Sequence, residues 1–312
     1  MRVVVVGAGA VGCVLTALLT DAGHSVALVA RGEAVGAIRD RGIRLEGPSA
    51  TRTVRPASVG PLVPGDAELA VLAVKTYSLA DAAALLAREP PRPVLLPQNG
   101  LGIEPIVGAA LRHGGWSDPD AHLVRAVNSI PSTWEAPGVV RRGGRGELLL
   151  PDPREAGEAA GPVARFLELF ERTDLAVRTV AGFAREVWRK AIVNAAINPI
   201  TALRGVPNGA LLEEPARADA LRLLHEAGRA ARAAGFDLAD GELEADFDRV
   251  ARATATNRSS MLQDLARGRP TEIDAISGAI LRTAAAHGIE LPATRAVIAA
   301  VEARTGRPSQ PI

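Results

Sequence analysis

The chain has 312 residues, 47% hydrophobic and 23% charged, which is long enough for two ordinary domains with buried cores. Its 36 basic and 35 acidic side chains give a formal charge of +1, which excludes the strongly basic footprint typical of proteins that bind nucleic acid or anionic membranes. No apolar run reaches transmembrane length, and a first strand that begins at Arg2 leaves no room for a signal peptide, so we expect a cytoplasmic protein. Cys13 is the single cysteine, which excludes disulfides within the chain, and no metal site is predicted.

The first 31 residues carry the most informative motif. The apolar run Val3–Val6 leads into the sequence GAGAVG, a helical stretch and a second apolar run at Val26–Val29, the arrangement of a dinucleotide-binding unit. The three glycines are expected to allow, respectively, a tight turn, a close approach of the backbone to the pyrophosphate, and close packing of the helix on the strand. The helix N-terminus offers free N–H groups to the phosphates. The predicted cofactor contacts in this turn are Gly7, Ala8, Gly9, Ala10, Val11 and Gly12.

The residue that follows the second strand selects the cofactor. A site for NAD favours a carboxylate there, to bind the ribose 2′-hydroxyl, whereas this chain has Arg31, a planar cation suited to a 2′-phosphate. NADP(H) is therefore the predicted cofactor. Two alternatives stay open: Arg31 is a solvated loop cation, or the nearby Glu33 serves NAD.

Strand and helix patterns alternate through the first half of the chain. Further apolar runs predict strands at Leu69–Val74, Val94–Leu96 and Leu123–Val127, and helical stretches such as Ser78–Arg88 lie between several of the runs. We predict that a hairpin then closes the domain, with Gly138–Arg142 paired to Glu147–Leu150 around two glycines and its arginines solvated. A helix at Ala159–Arg172 follows.

Beyond about Ala181 the pattern is almost wholly helical. The predicted fold is therefore α/β, with a Rossmann-type doubly wound sheet in an N-terminal domain (residues 1–180) and a C-terminal all-α domain (residues 181–312). The boundary is predicted near residues 178–183. The N-terminal domain is expected to bind the cofactor and the helical domain to carry the substrate and catalytic residues.

Two polar residues follow predicted strands of the first domain. Lys75 comes directly after the run that ends at Val74, and Asn99 lies in the sequence PQNG after the next strand. Ligands bind beyond the carboxyl ends of parallel strands, so we expect Lys75 near the cofactor phosphate or ribose and Asn99 near the substrate or ribose. The alternatives are a surface lysine and an ordinary turn asparagine.

A polar stripe distinguishes the first long helix of the second half. Lys190, Asn194 and Asn198 recur at i, i+4 and i+8 among apolar residues, so all three project from one helical face. A partly desolvated lysine can have its pKa lowered towards neutrality, as a general acid for ketone reduction requires. The alternative is a polar contact between helices.

A second cluster lies farther along, in NRSSMLQD and RPTEID. Thr271 followed three residues later by Asp274 is typical of a helix start, which places Glu272 in a first helical turn where the helix dipole favours its charge. Glu272 is therefore either a site residue or only part of a helix start.

Together these motifs resemble the ketopantoate reductase (2-dehydropantoate 2-reductase) family. The resemblance is carried by GAGAVG with Arg31, VKT at Lys75, PQNG at Asn99, WRKAIVNAAINPITAL, PNGAL at Asn208, and NRSSMLQDLARGRPTEIDAISGAI, and it extends from Met1 to about Pro292. It implies reduction of 2-dehydropantoate to (R)-pantoate with NADPH, a step of pantothenate biosynthesis. A homodimer is a separate expectation.

The resemblance also assigns roles to individual residues. It implies Lys190 as general acid, Glu272 as a catalytic residue that also reaches substrate and cofactor, and Arg31 and Lys75 as contacts of the 2′-phosphate. Asn99 is implied at both cofactor and substrate. The other implied substrate-binding residues are Asn194, Asn198, Asn208, Asn257 and Ser260.

One segment departs from the family pattern. Where a small, glycine-led strand is expected, Arg125–Trp134 holds bulky and polar residues. A relative that reduces another 2-keto acid or a secondary-metabolite carbonyl is therefore an alternative, because function depends on the site and not on the fold. A protein that senses NADP(H) without turnover is a second alternative, and it would need neither Lys190 nor Glu272.

Overall fold

The computed structural model describes residues 1–305, which divide into two compact units. Unit 1 consists of Met1–Gln98 and Ile103–Phe183. Unit 2 consists of the short segment Asn99–Gly102 and the chain from Ala184 onward. The chain thus enters unit 2 for four residues after Gln98, returns to unit 1, and passes finally into unit 2 at the start of a long helix.

Unit 1 is built on a six-stranded parallel sheet with the strand order β5-β2-β1-β6-β7-β8. Its strands are β1 (Arg2–Val6), β2 (Ser25–Val29), β5 (Ser58–Gly60), β6 (Leu69–Leu72), β7 (Val94–Leu96) and β8 (Leu123–Arg125). In β1, Val3 and Val5 belong to one hydrophobic cluster, and Val4 and Val6 to another. Both faces of the sheet are therefore covered, which explains why its strands are runs of apolar residues without polar alternation.

Five helices belong to unit 1. They are α1 (Ala10–Asp21), α2 (Glu33–Arg41), α3 (Leu79–Leu86), α4 (Ile103–His113) and α5 (Ala160–Phe170). The buried side chains of α1 and α5 join one hydrophobic cluster, whereas those of α3 and α4 join the other. Helices on both faces of a parallel sheet confirm the predicted Rossmann-type architecture.

Two smaller sheets complete unit 1. One has the order β10-β11-β3-β4 and the other β13-β12-β9. Their strands are β3 (Ile43–Glu46), β4 (Thr51–Val54), β9 (Val127–Asn128), β10 (Ser132–Ala136), β11 (Val139–Arg142), β12 (Glu147–Pro151) and β13 (Ala176–Val180). Several of these strands are short and half exposed, so they lack the apolar runs from which strands were predicted.

The predicted hairpin of Gly138–Arg142 with Glu147–Leu150 is wrong. β11 pairs with β10 and β3, whereas β12 pairs with β13 and β9, so the two strands lie in different sheets. Arg142 is also buried and not solvated: it donates to both carboxylate oxygens of Asp174, at 2.6 and 2.8 Å. Similarly, Leu123–Val127 is not one strand, because the chain leaves the main sheet after Arg125 and Val127 pairs with β12.

Unit 2 is helical in all its described secondary structure. Its helices are α6 (Phe183–Arg204), α7 (Ala216–Ala233), α8 (Asp240–Ala253), α9 (Ser260–Ala266), a π-helical turn (Asp274–Gly278) continuous with α10 (Ala279–Ala286), and α11 (Pro292–Thr305). Its largest hydrophobic cluster takes side chains from α6, α7, α8, the π turn and α10. This confirms the predicted all-α second half. No helix within residues 1–305 combines the length and hydropathy needed to cross a membrane.

Candidate active site

The glycine turn of unit 1 has the geometry that a bound dinucleotide requires. Gly7 has φ +117°, and a Cβ there would lie 2.9 Å from the backbone of Ala73. A Cβ on Gly12 would overlap the carbonyl of Gly7, so only glycine lets α1 lie this close to the turn. Gly9 differs because a Cβ there would meet no protein atom within 4 Å, so its outer side is open to a ligand.

The start of α1 can bind an anion. Its N-cap is Gly9, which supplies no side-chain cap, and its first turn contains no acidic residue. The backbone N–H groups and the positive end of the helix dipole are therefore left for an external acceptor. The glycine turn thus fits the pyrophosphate of a nicotinamide dinucleotide.

Arg31 and Lys75 each lie just beyond a strand of the main sheet, at its carboxyl edge. Val29, Val6 and Leu72 are in register across β2, β1 and β6, so these three strands end side by side. Arg31 lies two residues beyond Val29 and is exposed, and Lys75 lies three residues beyond Leu72, half-buried in extended backbone before a 3₁₀ turn. Both cations therefore lie at the carboxyl edge that carries the glycine turn.

Gln98 fixes this edge, and sequence reasoning missed it. Its side chain is buried, and its amide Nε2 donates to the carbonyls of Leu72 and, at 3.2 Å, of Val74. The end of β7 is thereby tied to the end of β6, directly before Lys75. Most buried amides are hydrogen bonded, so a glutamine immediately after a buried strand was the available signal.

In unit 2, α6 carries the predicted polar stripe. The helix runs unbroken from Phe183 to Arg204, so Lys190, Asn194 and Asn198 lie on one face. Lys190 and Asn194 are half-buried and Asn198 is buried, while residues between them belong to the core. The stripe therefore lies along a largely apolar wall.

Arg189, beside Lys190, holds α6 against α8. Its guanidinium donates to Asp246 on α8, with Nε at 2.9 Å, and to Glu186 one turn earlier on α6 at 2.9 Å. Arg249 donates to the same Asp246 carboxylate at 2.7 Å. This network restrains the helix on which Lys190 lies.

The loop before α9 is joined to α6 by two hydroxyl groups. Thr201 on α6 is hydrogen bonded to Ser259 at 2.7 Å, and Ser259 Oγ caps α9 by accepting from Leu262 N–H at 3.1 Å. Ser260, the first residue of α9, is exposed beside this buried pair. The prediction concerned Ser260 alone and did not identify Ser259 as the cap.

Asn208 is buried and forms hydrogen bonds to both a side chain and the backbone of the segment before α9. Its Nδ2 donates to Thr254 Oγ1 at 2.9 Å, and its backbone N–H donates to Asn257 O at 3.0 Å. The side chain of Asn257 itself is exposed. Asn208 therefore places the segment that contains Asn257 and leads to Ser260.

Glu272 is 7% exposed at the start of the helical segment that continues into α10. Its carbonyl accepts from Ile276 N–H at 3.1 Å, and the helix begins at the next residue, Ile273, so Glu272 lies one position before the first turn in which it was predicted. Thr271 Oγ1 accepts from Ile273 N–H at a long 3.4 Å, and Asp274 binds Arg282 at 2.6 Å. A helix therefore starts here, but one residue later than the Thr271–Asp274 pattern predicted, and the Asp274 carboxylate is bound by Arg282 on α10.

Asn99 lies in unit 2, although it follows a strand of unit 1. In its segment, Leu101 N–H donates to the carbonyl of Ala275, three residues after Glu272, at 3.0 Å. Unit 2 thus contains every residue for which a substrate role was predicted: Asn99, Lys190, Asn194, Asn198, Asn208, Asn257, Ser260 and Glu272.

Two polar residues of Arg125–Trp134, Arg125 and Asn128, are engaged within unit 1. Asn128 Nδ2 donates to Pro97 O at 3.3 Å and its Oδ1 accepts from Ile130 N–H at 2.9 Å. The buried Arg125 lies 4.0 Å from Glu104 and 3.5 Å from Leu96 O. These bonds give two of the unusual side chains a structural use at the ends of β7 and β8.

Lysine usage in the whole chain is a further signal that sequence reasoning did not use. Of the 36 basic residues, two are lysines, Lys75 and Lys190, and the others are arginines. A guanidinium remains protonated in proteins, whereas an ammonium can lose its proton. Side-chain ammonium groups therefore occur only at the two positions already predicted as site residues.

Comparison with known proteins identifies the family. The model of "Ketopantoate reductase PanE/ApbA" matches residues 3–155, and that of its C-terminal domain matches residues 183–305. The chain belongs to the ketopantoate reductase family. The 2-dehydropantoate 2-reductase of Halobacterium salinarum is 36% identical over 300 residues, 95% of this chain and 96% of that protein. That of Archaeoglobus fulgidus is 33% identical over 95% of each chain.

Solved structures agree with this assignment. The ketopantoate reductase of Ralstonia eutropha is 31% identical, with a TM-score of 0.83 over 98% of this chain and 99% of that one. A D-mandelate dehydrogenase solved with NADH and anilino(oxo)acetate has a TM-score of 0.89 at 23% identity over 98% of each chain, which shows a shared fold. As a member of its family, the protein is an oxidoreductase that uses a nicotinamide cofactor and a small keto acid.

Within residues 1–305, no group of three or more His, Cys, Asp or Glu side chains is arranged to hold a metal ion.

Proposed function

We propose that the protein reduces the ketone of 2-dehydropantoate to the secondary alcohol of (R)-pantoate with NADPH. The observation that carries this proposal is that one chain contains both an open glycine turn, in unit 1, and a lysine on the polar stripe of α6, in unit 2, and that Lys75 is its only other lysine. The family assignment supports the same reaction. When bound, the nicotinamide supplies the hydride.

Unit 1 is proposed to bind the cofactor. The glycine turn and the uncapped start of α1 would bind the pyrophosphate, and Arg31 and Lys75 would bind the adenosine 2′-phosphate. Arg31 stands where an NAD site favours a carboxylate, and its exposed guanidinium can bind a phosphate through two parallel hydrogen bonds. NADPH is therefore proposed over NADH.

Unit 2 is proposed to supply the proton and the polar groups for the substrate. Hydride addition turns the ketone oxygen into an alkoxide, and the Lys190 ammonium donates a proton to that oxygen. Asn194 and Asn198, one and two turns farther along α6, can hydrogen-bond the substrate because their amides offer both donors and acceptors. The Arg189–Asp246 network keeps the helix in place.

Glu272 is proposed to bind the substrate hydroxyl or the Lys190 ammonium. A carboxylate repels the carboxylate of a keto acid, so that group is left to Ser260 and the asparagines. Glu272 is buried at a helix start, where the dipole stabilises its negative charge.

Steady-state kinetics with 2-dehydropantoate and its deoxy analogue test the proposal. NADPH-dependent turnover of 2-dehydropantoate is expected. If Glu272 binds the hydroxyl, Glu272→Gln raises KM for 2-dehydropantoate and spares the analogue; if it acts on Lys190, turnover and its pH profile change for both substrates.

The alternatives give different results in the same assay. Turnover confined to other keto acids would indicate a relative with a different substrate. Tight NADPH binding without turnover of any carbonyl compound would indicate a sensor. The engagement of Asn128 and Arg125 within unit 1 favours neither alternative, because it accounts for these two unusual side chains without a different substrate.

A further inference from the structure

The π-helical turn at Asp274–Gly278 leaves one carbonyl for a partner outside the helix. The two backbone N–H groups that follow the turn donate to Asp274 O and Ile276 O, passing over Ala275 O between them. Ala275 O instead accepts from Leu101 N–H at 3.0 Å. Such bulges recur at functional sites because they redirect backbone groups.

Gly100 is the residue that permits this contact. It has φ +94°, and a Cβ there would lie 2.8 Å from the carbonyl carbon of Ala275 and closer still to its oxygen. Because the obstacle is helix backbone, no side-chain movement could relieve the clash. An alanine at position 100 would therefore push the segment away from the π turn.

The neighbouring Gly102 provides a matched comparison. It lies in the same four-residue segment and also has a positive φ, +70°, but a Cβ there would meet nothing within 4 Å. Alanine at either position carries the strain of a left-handed backbone. Only alanine at position 100 adds the collision with Ala275.

We propose that Gly100 is a positioning residue: by letting its segment dock on Ala275, it holds Asn99 in place relative to Glu272, three residues before Ala275. The hydrogen bond from Leu101 to Ala275 connects the segment of Asn99 to that of Glu272. These are the first and the last of the predicted site residues in unit 2. This inference rests on the proposed function and on the role that the family resemblance implies for Asn99, a contact with both cofactor and substrate. Gly100 itself touches neither and acts through Asn99.

The test is a double-mutant cycle measured by fluorescence titration with NADPH and by kcat/KM for 2-dehydropantoate. Gly100→Ala is expected to weaken NADPH binding and to lower kcat/KM at least ten-fold, whereas Gly102→Ala stays within three-fold of the wild type. In an Asn99→Ala background, which itself binds NADPH about ten-fold more weakly, Gly100→Ala should add less than a two-fold effect, because both changes remove the same interaction.

Three results would overturn the inference: equal effects of the two glycine variants, independent effects of Gly100→Ala and Asn99→Ala, or no effect of Asn99→Ala alone. Should Gly100→Ala not fold, hydrogen exchange of the wild type decides. The inference requires the Leu101 amide to be as protected from exchange as the amides of α6. If it exchanges as fast as an exposed loop, its segment does not dock on Ala275. Absence of turnover in the wild type would refute the proposed function alone, since the NADPH titrations and hydrogen exchange need no reaction.

Discussion

Thr201 and Ser259 lie 58 residues apart in sequence, yet their hydroxyl groups are 2.7 Å apart and buried in unit 2. This bond joins the second half of α6 to the N-cap of α9. The two helices carry Asn198 and Ser260, so their relative position depends on a pair that has no predicted role in the chemistry.

Ser259→Ala removes the bond and the cap together. We expect a loss of about 1–2 kcal/mol of unfolding free energy, since caps of this kind contribute about 0.5–2 kcal/mol. KM for the keto acid should rise several-fold while the Kd for NADPH is unchanged, because neither Ser259 nor Ser260 is among the residues proposed to contact the cofactor. Urea melts and kinetics check this, with Thr201→Val as a variant that removes the bond and keeps the cap. Unchanged KM in both would show a purely structural role.

Replacing Lys190 by arginine separates charge from proton donation. Lys190→Arg keeps a cation but cannot release its proton, so we expect it to lose turnover almost as severely as Lys190→Ala, on the order of 10²–10⁴-fold. NADPH affinity should remain close to that of the wild type in both. Single-turnover rates at saturating substrate measure the effect. Near-normal turnover by the arginine variant would leave Lys190 only an electrostatic role.

The other lysine should behave in the opposite way. Lys75 is proposed to supply only charge to the 2′-phosphate, so Lys75→Arg is expected to keep NADPH affinity within a few-fold. Arg31→Ala, by contrast, should lose about 1.5–3 kcal/mol of NADPH binding free energy and little of the NADH binding free energy. Titrations with both dinucleotides check this. Arg41→Ala, an exposed arginine at the end of α2, is the control. Equal affinity of the wild type for NADH and NADPH would contradict the cofactor assignment.

Acid should weaken unit 2 through Asp246. Burial acts to raise the pKa of Asp246, but hydrogen bonds from Arg249 and Arg189 outweigh it and hold the pKa below its ordinary value. A lowered folded-state pKa stabilises the protein fully above the ordinary pKa of about 4, and this stabilisation is lost as the pH falls through the folded value.

We therefore expect Asp246→Asn to cost about 2 kcal/mol at pH 7 and to flatten the loss of stability below pH 4. Urea unfolding across this pH range provides the measurement. Asp240, which bonds Arg232 at 2.9 Å in a far more exposed pair, serves as the comparison, and Asp240→Asn should cost under about 1 kcal/mol. Equal costs for the two variants would argue against a special role for the Arg189 network.

Cys13 should report the unfolding of unit 1. Burial in α1 raises the pKa of its thiol to about 12, so almost no thiolate exists at pH 8. We expect no iodoacetamide adduct by mass spectrometry in the folded protein and complete labelling in denaturant. Rapid labelling under native conditions would show that α1 opens readily.

Sequence by itself determined the parts of this protein that rest on local pattern. The β-branched run and glycine spacing specified the first strand, turn and helix, because a side chain at Gly7 or Gly12 would collide with neighbouring backbone. The spacing of Lys190, Asn194 and Asn198 placed them on one face because the helical repeat leaves no other arrangement. The lysine count points to the same site residues, although prediction did not use it.

Only the tertiary structure decided the pairings between distant segments. The strands β11 and β12 looked like a hairpin but lie in different sheets, because strand partners are chosen by burial and not by proximity in sequence. Gln98, Thr201 and Ser259 act through partners 24 to 58 residues away. The placement of Asn99 in unit 2 depends on a π turn and on the missing side chain of Gly100, two features whose meaning appears only once the backbone of Ala275 lies beside them.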